Sequence, residues 1–67
     1  MIFMQFVELT EIIGNQEKKR WFNAKNIQSM QKQDTYTVLF MSTHRAGFKI
    51  KESPEQIMEL IKKTKEI

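Results

Sequence analysis

The chain has 67 residues, eleven basic and eight acidic side chains, a net charge of +3 and no cysteine. We expect one domain, residues 1–67, with a marginal core, because short chains bury a smaller share of their surface than long chains do. The missing cysteines exclude disulfide staples, thiolate metal sites and a cysteine nucleophile. No apolar run approaches the roughly 20 residues that cross a bilayer, and the first residues lack the basic leader of a signal peptide. These features predict a soluble, cytoplasmic protein with no membrane span.

The first predicted strand covers residues 2–10, and its first half is apolar on both faces. Alternate side chains of a strand point to opposite faces. One face therefore carries Ile2, Met4 and Phe6, and the other carries Phe3, Val7 and Leu9. Antiparallel sheets usually leave one face polar and solvated, so we expect a helix, a loop or another subunit to cover the second face. This pattern is the first indication of self-association.

A polar segment from residue 11 to residue 20, with Gly14 within it, is expected to form an exposed loop. Residues 19–23 then predict a short second strand. The adjacent aromatic residues Trp21 and Phe22 must face opposite sides of its pleat. One of the two therefore belongs to the core and the other is partly exposed, and the sequence does not decide which. The asparagines that follow favour a tight helical turn or an Asx-turn.

Three further strands are predicted between residue 27 and residue 51. Residues 27–32 are polar except at Ile27 and Met30, whose odd spacing indicates either a bulge or a twisted edge. Residues 35–41 are the strongest strand candidate by composition, and we expect this strand to be central. Residues 48–51 resume the alternation of a half-buried strand after a loop at residues 42–47.

The last predicted element is a helix covering about residues 54–66. Ser53 is its N-cap, and Gln56 completes a capping box. Pro54 occupies the first helical position, where the backbone N–H that proline lacks would have no partner within the helix. An apolar stripe at helical spacing follows, made of Ile57, Leu60, Ile61 and Thr64. The predicted fold is therefore α+β, with an antiparallel β-meander of about five strands packed by one C-terminal helix.

Residues for a catalytic or cofactor site are scarce in this sequence. It has one histidine, no glycine-rich phosphate loop and no carboxylate cluster with the spacing of metal ligands. We therefore expect no catalytic residue, no metal and no cofactor, and a protein that is not an enzyme. A lone histidine lacks the orienting partner that catalysis or metal binding requires. For His44 and Arg45 this favours a solvated hairpin tip.

A basic run beside aromatic residues is the main sign of an anionic partner. Such a mixture neutralises phosphates with cations while bases stack on a ring. The candidate nucleic-acid contacts are Lys18, Lys19, Arg20, Trp21, His44 and Arg45. The alternative is that the basic residues form an exposed hairpin loop and that one of the aromatic residues is core. The modest net charge favours that alternative.

A second candidate surface comes from the doubly apolar first strand together with the helix. Its predicted members are Ile2, Met4, Phe6, Met58 and Ile61. A core this small has few hydrophobic residues to spare, so those left uncovered by the chain itself are expected to pack against a partner. We expect that partner to be a second copy of the chain or another protein.

Several short motifs are shared with a known family. They are Val7-Glu8-Leu9-Thr10, Gly14, Phe22-Asn23, Asn26-Ile27-Gln28-Ser29-Met30, Asp34-Thr35 and Lys51-Glu52-Ser53-Pro54-Glu55-Gln56-Ile57. Through them, residues 7–61 resemble the small flagellar-operon FlbD family, also called the swarming motility protein SwrD family. The resemblance implies a non-enzymatic accessory role in motility, with no catalytic residues. The family has a tight glycine turn where we expect the longer loop at residues 11–20.

The function that the sequence favours is that of a non-catalytic accessory or interaction protein that self-associates. Its motivation is the doubled apolar face of residues 2–9 in a chain with a marginal core. A nucleic-acid-binding module that uses the basic and aromatic hairpin is the alternative. The two hypotheses differ in the salt dependence that they predict. Nucleic-acid binding should weaken steeply with added salt, because each phosphate contact releases counterions.

Overall fold

The computed structural model describes residues 5–63, which form five strands, a short 3₁₀ helix and one α-helix. The elements are β1 (Phe6–Ile13), β2 (Gln16–Asn23), the 3₁₀ helix (Ala24–Asn26), β3 (Ile27–Lys32), β4 (Thr37–Met41), β5 (Phe48–Ile50) and α1 (Pro54–Lys63). All strand pairs are antiparallel, in the order β2-β1-β5-β4-β3. The predicted α+β fold, a five-stranded antiparallel sheet packed by a C-terminal helix, is confirmed.

The strand order departs from a continuous meander. Strands β3, β4 and β5 follow one another as a meander, but the hairpin of β1 and β2 joins the sheet on the far side of β5. The junction is the pairing of Glu11 with Ile50. As a result β2 and β3 are the edge strands, β5 is the central strand, and β4 lies between β5 and β3. The predicted central position of residues 35–41 is therefore correct only in that β4 is an interior strand.

The predicted loop at residues 11–20 is wrong. Strand β1 continues to Ile13 and β2 begins at Gln16, so a two-residue turn joins them. Gly14 has a φ of 60°, a left-handed conformation that glycine adopts without strain and that opens the type II′ hairpin turn. The basic residues that follow lie in an edge strand, where charged side chains can point into water on both faces.

Strand β2 settles which of its aromatic residues belongs to the core. Phe22 is 5% exposed, whereas Trp21 is 63% exposed. The full set of buried hydrophobic residues is Val7, Leu9, Phe22, Leu39, Met41, Ile50 and Ile57. They come from four of the five strands and from α1, so the core depends on contacts between residues that are distant in sequence.

The helix starts where the sequence predicts. The backbone N–H of Ser53 donates to Gln56 Oε1 at 2.9 Å, and the N–H of Gln56 donates to Ser53 Oγ at 3.1 Å. This reciprocal capping box satisfies two donors that the first turn leaves without helical partners. The described part of the helix ends at Lys63. Residues 64–67, which include the predicted stripe residue Thr64, lie outside the described residues.

A carboxylate fastens the segment before α1 to the sheet. Thr10 donates to Glu52 through its backbone N–H at 2.8 Å and through its hydroxyl at 2.9 Å. The hydroxyl of Thr37 donates to the backbone carbonyl of Glu52 at 2.7 Å. Strand β5 has already ended at Ile50, so the Glu52 side chain supplies the acceptor that a longer strand would have offered to β1. These bonds set the point from which α1 starts.

Strand irregularities appear at two places. The register between β3 and β4 shifts between Ile27 and Ser29, an irregularity in the strand for which a bulge or a twisted edge is predicted. Gly47 lies so close to β4 that a Cβ there would collide with Cγ1 of Val38 and would lie 3.2 Å from Cε1 of Phe40. Only glycine fits this close approach of the loop before β5 to strand β4.

Candidate interaction surfaces

The candidate contact residues of β2 divide between two faces of the sheet. Because side chains alternate along a strand, Lys18 and Arg20 lie on the same face as the core residue Phe22, and Lys19 and Trp21 lie on the opposite face. The predicted basic and aromatic set therefore does not form one continuous patch. It contributes to two surfaces, one around Trp21 and one around Arg20, and Trp21 also borders the second.

The first surface is an open concavity built from β1, β2 and α1. Four apolar residues line it, and one of them, Val7, is buried; we call the other three, Phe6, Trp21 and Leu60, the Trp21 surface. Trp21 is 63% exposed, Leu60 is 37% exposed and Phe6 is partly buried. Phe6 and Trp21 lie on the same face of neighbouring strands, whereas Leu60 comes from the helix. The surface therefore exists only when α1 is docked on the sheet.

Charged residues of both signs surround this apolar centre. Glu8, Lys19, Glu52 and Lys63 line the same concavity. Lys19 Nζ donates to the hydroxyl of Thr10 at 3.0 Å, and that hydroxyl donates to the Glu52 carboxylate. A shallow groove with three acidic residues continues from Leu60 along α1 and is lined by Glu52, Glu55, Gln56, Glu59 and Leu60. The Trp21 surface is thus apolar in the middle and mixed in charge at its margin.

The other predicted interface residues have different positions. Ile2 and Met4 lie outside the described residues. Met58 is 47% exposed on α1 but does not line the concavity around Trp21. Ile61 packs against the core, and its carbonyl accepts a hydrogen bond of 2.8 Å from Gln5 Nε2. Of the three predicted interface residues that the structure describes, Phe6, Met58 and Ile61, only Phe6 lines the concavity around Trp21.

The second surface is a cluster of rings and cations around Phe48. The Phe22 and Phe48 rings meet edge to face, with centroids 5.3 Å apart. Arg20 Cζ lies 5.5 Å from the Phe22 centroid and 5.1 Å from the Phe48 centroid. The His44 ring contacts Phe48 at 5.2 Å, also edge to face. Arg20 and His44, which are far apart in sequence, therefore share one aromatic partner.

Polar residues beside this cluster form a small notch. It is lined by Arg20, Trp21, Phe22, Asn23, Asn26, Met41, Thr43, His44 and Phe48. Arg20 NH1 also forms an ion pair of 3.1 Å with Glu11 Oε1, and 49% of the Arg20 side chain remains exposed. Lys18 and Arg45 are exposed but do not line the notch. We call the concavity formed by the nine lining residues the Arg20 notch.

The meeting of Arg20 and His44 had no signal in the sequence. His44 lies in the turn that follows β4, where its N–H donates to the Met41 carbonyl at 3.2 Å. It reaches Phe48 because β5 pairs with β4, and Arg20 reaches the same ring because β1 joins β2 to β5. Two independent strand registers are needed to bring these three side chains together.

Neither a metal site nor a membrane span is found among residues 5–63. No group of three or more histidine, aspartate or glutamate side chains in that range could hold a metal ion. None of its helices is long and apolar enough to cross a bilayer. The chain matches no protein-family model, and no curated protein or solved structure matches it.

Proposed function

We propose that this chain is a non-catalytic interaction protein that self-associates through the Trp21 surface. The observation that carries the proposal is the 63% exposure of Trp21 between Phe6 and Leu60 on a concave surface. Tryptophan and other aromatic residues are enriched where proteins bind one another, and buried tryptophans often dominate the binding energy. A small domain also gains stability when it buries apolar surface against a partner.

A second copy of the chain is the partner that the charges favour. In a two-fold symmetric dimer the same patch meets itself, so the patch must carry complementary groups. Glu8 and Glu52 provide negative charge at the margin of the Trp21 surface, and Lys19 and Lys63 provide positive charge. Two copies can therefore meet apolar centre to apolar centre with acidic groups facing basic ones.

Replacing Trp21 by alanine is expected to weaken self-association by about 30-fold, the effect of losing a hot-spot residue worth about 2 kcal/mol. Sedimentation equilibrium at micromolar concentrations measures the change. Trp21 is the chain's one tryptophan, so its fluorescence reports the same event in the unmodified protein. Its emission should shift to shorter wavelength as concentration rises, because burial removes water from the indole ring.

Ile13→Ala is the matched control, since Ile13 is 51% exposed and lies near the hairpin turn, away from the Trp21 surface. It should leave the association constant unchanged. A monomer at every concentration, with constant tryptophan emission, would contradict the proposal. Equal weakening by the Trp21 and Ile13 substitutions would also contradict it, because the effect would then not be local.

Nucleic-acid binding is a second candidate, and the Arg20 notch supports it. Arg20 and His44 lie beside the Phe48 ring, and Asn23 and Asn26 line the same notch. Single-stranded nucleic acid is bound by such combinations of cations, rings and hydrogen-bonding groups.

If the notch binds nucleic acid, labelled single-stranded DNA or RNA should show rising fluorescence anisotropy at low salt and lose it as salt is added. Arg20→Gln is expected to reduce the slope of log affinity against log salt by about 1, the contribution of one phosphate contact. Lys62→Gln, on the exposed end of α1, is the control. Unchanged anisotropy at low salt with both DNA and RNA would remove this candidate.

The resemblance to the flagellar FlbD family suggests an accessory role in motility for the same interaction protein. Its support is the motif set from residue 7 to residue 61, together with the two-residue turn at Gly14, which is as tight as the turn that the family implies. A position of the gene within a flagellar cluster would favour this role. A prophage or plasmid setting would favour a different regulatory role.

A further inference from the structure

Strand β2 forms an edge of the sheet. Within residues 5–63, β1 flanks it on one side and no strand flanks it on the other. An edge strand presents a row of backbone N–H and C=O groups to solvent, and such a row can accept a further strand. At eight residues, β2 is longer than the mean strand of about five to six residues. It is therefore long enough to hold an extended segment of several residues.

The hydrogen bonds of Thr10 show which backbone groups of β2 face this edge. The Thr10 carbonyl accepts from the Lys51 N–H at 2.9 Å, and the Thr10 N–H donates to Glu52, so both point away from β2. Opposed residues in antiparallel strands alternate between bonded and non-bonded pairs. Thr10 and Lys19 are therefore a non-bonded pair, and the backbone groups of Lys19 point outward. Glu17 and Trp21 lie two residues before and after Lys19, so their backbone groups also point outward.

The centre of this edge is positively charged. Lys18, Lys19 and Arg20 are consecutive and exposed. Lys19 Nζ donates to a neutral hydroxyl, that of Thr10, whereas Arg20 is half-exposed in an ion pair with Glu11. The one acidic residue of the strand, Glu17, is paired with Lys51 at 3.1 Å. An acidic partner would therefore find complementary charge along the edge.

A second copy of β2 does not fit this edge. Antiparallel pairing of two β2 strands about Lys19 would place the three basic residues of one copy against those of the other. Like charges that face each other across strands are destabilising, and edge lysines are a common means of preventing such pairing. The same residues that oppose self-pairing would attract an acidic strand.

We propose that the outer edge of β2 binds an extended acidic segment of another protein as a sixth strand. In an antiparallel arrangement, one apolar residue of the segment lies opposite Trp21, and the next three residues, all acidic, lie opposite Arg20, Lys19 and Lys18 in turn. Main-chain hydrogen bonds supply affinity, and the side chains on the two faces supply selectivity. This site is the edge of the sheet, so it extends the proposed function and does not depend on self-association.

The probe is a short peptide with the central sequence Val-Glu-Asp-Glu, titrated into the full ¹⁵N-labelled chain at low salt. The outward amides of Glu17, Lys19 and Trp21 should become protected from hydrogen exchange. Those of Lys18 and Arg20, which already face β1, should keep their protection. Protection in alternate residues is the specific result of adding a strand, because a peptide held by charge alone bonds no backbone group.

Two N-methylated peptides form a matched pair. The aspartate opposite Lys19 uses its N–H to reach β2, so methylating that nitrogen should abolish the alternate protection. The N–H of the glutamate opposite Arg20 points away, so methylating it should leave the protection intact. Equal binding by both methylated peptides would overturn the proposal.

Charge reversal in the protein gives an independent test. Lys18→Glu should weaken binding of the unmodified peptide about tenfold, because one attraction is replaced by one repulsion. Lys62→Glu makes the same charge change on α1 and should have little effect. Binding without amide protection, or tighter binding of a single-stranded oligonucleotide of equal charge to β2, would overturn the proposal. Sedimentation of the same samples keeps this outcome separate from self-association, which needs no peptide.

Discussion

Replacing Ile57 by alanine is expected to lower the free energy of unfolding by about 3 kcal/mol, through lost burial and the cavity that remains. Ile57 is 0% exposed and is the buried residue of the described helix. A chain of this length has a total stability of about 3–10 kcal/mol. The substitution should therefore remove a large part of it and lower Tm by about 15 °C.

Urea unfolding followed by circular dichroism measures the effect. Met58→Ala is the control, because Met58 is adjacent in sequence but 47% exposed, and it should change stability by less than about 0.5 kcal/mol. Similar losses for the two variants would mean that α1 does not dock on the sheet through Ile57. The Ile57 variant should also fail to self-associate, because undocking α1 removes Leu60 from the Trp21 surface.

Replacing Glu52 by alanine is expected to lower the free energy of unfolding by about 2 kcal/mol, because hydrogen bonds to a charged group contribute about 1.5–3 kcal/mol each. The Glu52 carboxylate accepts from the N–H and the hydroxyl of Thr10, and Thr10 is buried. Without Glu52, the Thr10 N–H has no acceptor, because β5 ends at Ile50 and offers none to this part of β1. Leaving such a donor unpaired is the larger part of the cost.

A double-mutant cycle with Thr10→Val isolates this contact. Valine keeps the shape of threonine but removes the hydroxyl, so the double variant should lose less stability than the two single losses added together. Glu55→Ala, in the exposed first turn of α1, removes the same kind of charge and should cost only a few tenths of a kcal/mol. Strict additivity in the cycle would show that Glu52 and Thr10 are not coupled.

Both predictions concern how α1 is held, and this is also what builds the candidate site. Ile57 anchors the helix in the core, and Glu52 sets the point from which the helix starts. Leu60 then meets Phe6 and Trp21 from the other side of the concavity. The strand edge that we propose for an acidic segment depends less on the helix, because β2 is held by β1. The two proposed activities should therefore respond differently to loss of the helix.

Local chemistry explains what could be predicted. The start of α1 was predicted correctly because Ser53, Pro54 and Gln56 act within one helical turn and need no distant partner. The irregularity of β3 and the strand character of β4 could also be predicted, because they follow from residue type and spacing. The loop at residues 11–20 was wrong for a related reason. Charged residues are common in loops, and nothing local distinguishes a loop from an edge strand that faces water on both sides.

The amino-acid sequence by itself determined the helix and its capping, the strand character of β4 and the fold class, because hydrophobic period and turn chemistry act over a few residues. Tertiary structure alone decided the strand order, since the pairing of Glu11 with Ile50 joins residues that are distant in the chain. It also decided that Phe22 is core and Trp21 is exposed, and that Arg20 and His44 share the Phe48 ring. Each of these outcomes depends on register between strands, which is set by the packing of the whole sheet and not by any one segment.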